Sequence, residues 1–212
     1  MNKLSDEHLI EMLELQDKLN CLINPHWLSA KYPWQRAIRV ECAELTEHLG
    51  YKWWKKQEPD MEQAQIEVVD IWHFMLASML EGSQGSPKHV VEEWHRGIDF
   101  PELQQISLLG KSFCLKGLTM HESVDILSAF ASAGYNFPSL FEKVMTGVGL
   151  TWDELRRQYL AKNVLNIFRQ RNGYKDGTYI KTWHGREDNE WLADFMAQDP
   201  AFTAAGLMEK LE

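Results

Sequence analysis

Apolar residues recur along this chain at the three- and four-residue intervals of an α-helix, and no stretch alternates long enough to give a useful strand. Leu9, Met12, Leu13, Leu15, Leu19 and Leu22 predict an amphipathic helix over 5–22, with Ser5 able to cap it. Pro25 and Pro33 then punctuate a loop. A second helix spans 34–48 on the stripe Ala37, Ile38, Leu45 and Leu49, and Gly50 ends it. Residues 61–80 give the strongest pattern: Ile66, Val69, Ile71, Phe74, Met75, Leu76, Met79 and Leu80 leave so little polar surface that this helix belongs at the centre of the fold.

Beyond Glu81, glycines and prolines predict a loop region to Pro101 with a short helix at 90–95, followed by moderate helices over 102–116, 121–133 and 137–149. Thr151-Trp152-Asp153-Glu154 is a capping box that opens a helix running to about Arg171. Terminal helices are expected at 189–197 and 203–212. The pattern therefore predicts an all-α helical bundle, one domain over 1–212, with 82–150 as the part that would move against a rigid core.

Composition narrows the function. Acidic residues outnumber basic ones by 31 to 22, a net charge of −9, which disfavours general binding to nucleic acid or to anionic membranes. Cys21, Cys42 and Cys114 are far apart and odd in number, so neither a disulfide framework nor a thiolate zinc site is indicated. The first fourteen residues hold Asp6, Glu7, Glu11 and Glu14 rather than a signal peptide's basic and apolar regions, and no apolar run reaches the roughly 18 residues of a membrane span. A cytoplasmic location is expected.

The chemistry begins with acids. Glu41 and Glu44 on one predicted helix, and Glu67 and Asp70 on the next, are i,i+3 pairs, each within roughly 60° on one helix face. Packed face to face, the two helices would gather four carboxylates, an arrangement that makes sense chiefly with cations between them. Glu44-x-x-Glu47 is a competing pair. His73 continues the ladder of Glu67 and Asp70. Gln16 and Asn20 are i,i+4 neighbours that are either solvated or part of a polar pocket. The Tyr51–Lys56 cluster, with Trp53 and Trp54 between lysines, could stack on a base or simply pack on a neighbouring helix.

Six Lys or Arg and one acid lie between Lys162 and Arg186. Such a run is either a solvated face or, given its interleaved glycines and tyrosines, a loop that closes on an anion. Carboxylates that suit Mg²⁺ and a basic loop that suits phosphates together describe phosphoanhydride hydrolysis. No P-loop sequence is present to do this another way.

Several stretches carry a resemblance. They are Leu15-Gln16-Asp17-Lys18-Leu19-Asn20, Glu41-Cys42-Ala43-Glu44-Leu45, Lys52-Trp53-Trp54-Lys55, and Glu67-Val68-Val69-Asp70-Ile71-Trp72-His73-Phe74. A longer match runs from Lys162-Asn163-Val164-Leu165-Asn166 through Phe168-Arg169-Gln170 and the segment 173–179 to Glu187-Asp188-Asn189. In these the chain, over about 10–195, resembles the dimeric all-α dUTP diphosphatases, relatives of the wider all-α nucleoside triphosphate pyrophosphatases.

That resemblance implies Mg²⁺ (two or three ions, with Mn²⁺ as a substitute) on Glu41, Glu44, Glu67 and Asp70, with Glu44 or Glu41 also orienting the attacking water. It implies a uracil and deoxyribose pocket of Gln16, Asn20, His73, Phe74 and Asn166, walled by Trp54. Arg169, Tyr174, Lys175 and Lys181 would meet phosphates or sugar, with Lys162 as a further candidate. The expected reaction converts dUTP, and dUDP, to dUMP in a homodimer, keeping uracil out of DNA. The competing expectations are a related pyrophosphatase for dCTP or non-standard nucleotides, a di-iron carboxylate protein using Glu92 with His95 and Asp70 with His73, and a helical interaction module.

Overall fold

The computed structural model describes residues 3–98, 105–108 and 110–212. Helix α1 spans Asp6–Ile23, α2 Trp34–Leu49, α3 Met61–Gly82 and α4 Pro87–Ile98. Helices α5 (Met120–Ser132), α6 (Pro138–Gly147) and α7 (Trp152–Arg171) follow, and α8 (Asp188–Gln198) and α9 (Ala204–Leu211) close the chain. The fold is all-α, with two short antiparallel hairpins set between helices among the described residues.

Local signals fix the helix ends. Ser5 Oγ accepts from the His8 N–H at 3.2 Å, and Thr151 and Glu154 form the expected reciprocal capping box. Gly50 ends α2 at φ 77°, a conformation a Cβ would strain.

One expectation fails. Within 102–116, expected as a helix, residues Gln105–Leu108 (β1) and Lys111–Cys114 (β2) pair as a hairpin, with Ile106 opposite Phe113, and Leu115–Gly117 makes a 3₁₀ turn. Residues 102–104 and 109 of that stretch lie outside those described. The reason is local: Ile106 is buried while Gln105 and Ser107 are exposed, and Gly110 turns the chain at φ 77°. Four residues of alternation are too few to show in the pattern. A second, smaller hairpin, Thr182–Trp183 (β3) with Arg186–Glu187 (β4), turns at His184 and Gly185, both at positive φ.

Helix α3 is the central element, as its composition requires. It packs along α2 and also meets α1, α6 and α7. Val68, Ile71, Trp72, Leu76 and Leu80 on it are fully buried. Trp72 stacks on Phe141 with centroids 5.0 Å apart and meets Trp94 and Trp152 edge-on, giving an aromatic centre to the main core. A second apolar cluster joins the end of α7 to α8 and α9 through Leu165, Leu192, Met196, Leu207 and Leu211. Helix α7 belongs to both clusters, which holds its polar face steady beside α1 and α3.

Candidate functional site

Helices α1, α2, α3 and α7, with the segment after α7, converge on a cleft of about 760 Å³. Gln16 and Asn20 reach it from α1, Glu41 and Glu44 from α2, and Glu67, Asp70, His73 and Phe74 from α3. Asn166 and Arg169 on α7, and Tyr174 and Lys181 beyond it, complete the set that the sequence brings together. Trp54 and Lys175 do not line it. Trp54 lies on a separate groove with Trp53, His121 and Asp125, and Lys175 Nζ donates to the Ile23 carbonyl at 2.6 Å, tying the post-α7 segment to the end of α1.

Packing α2 on α3 brings one oxygen each of Glu41, Glu67 and Asp70 within 4.8 Å of one another. Glu44 lies outside that triad, exposed on the rim of the same cleft. Glu47, the competing partner, is instead ion-paired with Lys52 and is not among the residues that line the cleft. Burial, then the charge of Asp70 and the hydrogen bond and charge of Glu67, push the Glu41 carboxyl up to about 8. Burial and Asp70 raise Glu67 as well, against the opposing effects of its hydrogen bond with Glu41 and of Lys162. Crowded carboxylates with no thiolate among them suit a hard divalent cation such as Mg²⁺, so the donor set fits the ion that the sequence implies.

A second group forms a buried polar network. Gln16 Nε2 donates to Asn20 Oδ1 at 3.0 Å, so Gln16 Oε1 is the acceptor that lies 2.9 Å from His73 Nδ1 and 3.2 Å from the Tyr159 hydroxyl. His73 therefore carries its proton on Nδ1 and leaves Nε2 as a bare acceptor. Burial depresses the imidazole to about 3, with Asp70 opposing and Lys162 assisting, so His73 is neutral. His73 Nε2 and Asn20 Nδ2 are both buried without a partner. An acceptor and a donor left unsatisfied in one cleft are costly unless a ligand meets them. Trp34 and Phe74, with centroids 6.5 Å apart, supply apolar wall beside them.

The basic side is more committed than its sequence suggests. Lys162 is buried, and its Nζ donates to Asp70 Oδ2 at 2.9 Å and Asn189 Oδ1 at 3.2 Å. Arg169 is forked onto the buried Asp188. The Arg169 guanidinium and Lys181 Nζ lie 5.9 and 5.5 Å from the Tyr174 ring centre.

Several cleft residues carry no strong sequence signal of their own. His48, 3.4 Å from Glu67 Oε1, is betrayed only by its i+4 spacing from Glu44. Trp34, which lines the cleft, and Tyr159, fully buried and bonded to Gln16 Oε1, look like ordinary core aromatics. The two pairs of the di-iron alternative are separated: Asp70 and His73 line the cleft, while Glu92 and His95 are on α4, where His95 Nε2 meets Asp6 Oδ1 at 2.7 Å.

A helical frame that sets clustered carboxylates against lysines and a buried polar network has the parts of a hydrolase of the all-α kind. A family model for dUTPase matches residues 8–174, and the chain belongs to that family of dUTP-hydrolysing enzymes. No curated protein matches the chain.

Proposed function

We propose that the chain is a Mg²⁺-dependent dUTP diphosphatase that also accepts dUDP and releases dUMP. The observation that carries this reading is the pairing, in one cleft, of the Glu41, Glu67 and Asp70 cluster with the unpartnered His73 Nε2 and Asn20 Nδ2. Uracil presents an N3–H donor flanked by two carbonyl acceptors. His73 Nε2 accepts from N3–H, and Asn20 Nδ2 donates to the C4 carbonyl. Cytosine reverses the donor and acceptor at those positions and would leave both protein groups unpaired, a strong penalty in a buried pocket.

Glu41, Glu44, Glu67 and Asp70 would hold Mg²⁺, which when bound supplies charge neutralisation at the phosphates and a more acidic water. Glu44, on the rim, orients water for in-line attack at the β-phosphorus. Lys181 and Tyr174 face the phosphate end from the segment after α7. That segment is tied down by Lys175 and by the Arg169 to Asp188 pair, which supports its role as a wall that limits water entry.

We further infer a single functional domain, a homodimer and a cytoplasmic location. Three free cysteines support a reducing compartment. Trp53, 90% exposed, and Trp54, 61% exposed, form an apolar surface that supports association. Trp54 can wall the base pocket only if the Tyr51–Lys56 segment moves or a second copy supplies it. The deciding experiment measures monophosphate formation from dUTP, dUDP, dCTP, dTTP and UTP with and without Mg²⁺. We expect metal-dependent turnover of dUTP and dUDP; preference for dCTP, or turnover in excess chelator, overturns the reading.

A further inference from the structure

Arg169 looks at first like a cation for the substrate, since it sits on α7 one turn beyond Asn166 and lines the cleft. Its hydrogen bonds say otherwise. Nε donates to Asp188 Oδ2 at 2.8 Å and Nη2 to Asp188 Oδ1 at 2.7 Å, a bidentate fork with both side chains buried. Nη2 also reaches Asn189 Oδ1 at 3.4 Å, and Nη1 donates to Asn166 Oδ1 at 3.1 Å. A guanidinium has five N–H donors, so at most one is left for a ligand.

Asp188 is held just as firmly. It is the first residue of α8 and fully buried; its backbone N–H donates to the Lys181 carbonyl at 2.9 Å, and the Tyr179 hydroxyl donates to Oδ2 at 2.9 Å. The carboxylate therefore fixes the plane of the Arg169 guanidinium, and that plane fixes Asn166. With Nη1–H pointing at it, the Asn166 amide must keep its oxygen toward Arg169, because the flipped amide would set two donors against each other. The free end of Asn166 is then its Nδ2 donor.

We propose that Asp188 is a positioning residue of this site, acting through Arg169 to hold Asn166 with Nδ2 available to a hydrogen-bond acceptor on the nucleoside. It rests on the reading of the cleft as a dUTP site. Arg169 is on this account the middle of a relay and not a phosphate ligand.

The test is a double-mutant cycle on dUTP turnover with Mg²⁺ present. Asp188→Asn keeps the shape of the side chain but cannot accept along both arms of the fork. We expect its KM to rise about tenfold, more than kcat falls, as a misdirected donor costs one hydrogen bond. In the Asn166→Ala background the same change should move KM by less than about twofold, because the group it positions is gone. A merely structural role would act equally in both backgrounds. Should Asp188→Asn fail to fold, as judged by circular dichroism, Tyr179→Phe loosens the carboxylate while keeping the ion pair; about a threefold rise in KM, again lost in Asn166→Ala, is expected. An unchanged KM in a folded variant, or equal rises in both backgrounds, overturns the proposal alone. Absence of dUTP turnover by the wild type overturns the reading of the site and the proposal with it.

Discussion

Lys162 Nζ lies 2.9 Å from Asp70 Oδ2, so a buried ammonium already stands against the carboxylates that a divalent cation would join. Replacing it removes the positive charge that eases their repulsion. Lys162→Met should lower the melting temperature in chelator by about 3–10 °C, from about 1–3 kcal/mol of lost pairing at a site where Asp70 keeps some solvent. The rise on adding Mg²⁺ should be larger than in the wild type, since the cation then supplies what the lysine did. Thermal denaturation with and without Mg²⁺ reads both effects, and a smaller Mg²⁺ response in the variant would refute the argument.

Glu67→Gln keeps the volume of a buried side chain but removes its charge. We expect dUMP formation to fall by about 100-fold or more and the Mg²⁺-induced thermal shift to disappear. Stability in chelator should hold or rise, because one member of a repelling cluster has become neutral. Turnover at wild-type rates would remove Glu67 from the metal set.

His73 gives a pH signature. Its folded pKa, about 3, lies below the value near 6.5 of an unfolded histidine. Below pH 6.5 the unfolded chain takes up a proton that the folded chain refuses, so this contribution is complete above 6.5 and is lost as pH falls toward 3. Glu41, raised to about 8, acts oppositely, contributing most below its unfolded value and less as pH rises. Comparing wild type with His73→Gln isolates the histidine. In urea titrations with chelator, the wild type should lose about 2 kcal/mol relative to the variant between pH 7 and pH 5. Parallel pH curves would show that His73 is not buried neutral.

Trp72 tests the core behind the site. It is fully buried among Phe141, Trp94 and Trp152, so Trp72→Ala should cost about 3–5 kcal/mol in the urea midpoint, with Trp72→Phe costing less. A loss under about 1 kcal/mol would mean the aromatic centre collapses around the gap.

The helices and the acids were legible because both are written at short range. An i,i+3 spacing puts Glu67 and Asp70 on one face whatever the rest of the chain does, and the apolar run around them says that the face is buried. Partners across long intervals were not. Nothing local to Arg169 announces that its charge belongs to Asp188, nineteen residues on, nor does Lys175 reveal that it reaches the Ile23 carbonyl. Periodicity gives the direction of a side chain and not its destination, and so it does not show that both cations are fastened within the protein. The β1–β2 hairpin escaped for a different reason: its alternation is shorter than one helical turn and a half.

The network from Gln16 through His73 and Tyr159 has a consequence for binding. His73 Nδ1 donates to Gln16 Oε1 and Gln16 Nε2 donates to Asn20 Oδ1, which leaves His73 Nε2 and Asn20 Nδ2 as the unengaged atoms of the network. The rotamer entropy of these side chains is therefore lost when the chain folds, and a nucleotide that fits does not have to order them again. Such a pocket is rigid toward ligands: it selects by rejecting a wrong edge rather than by adapting to it, and the stability of the fold underwrites its discrimination.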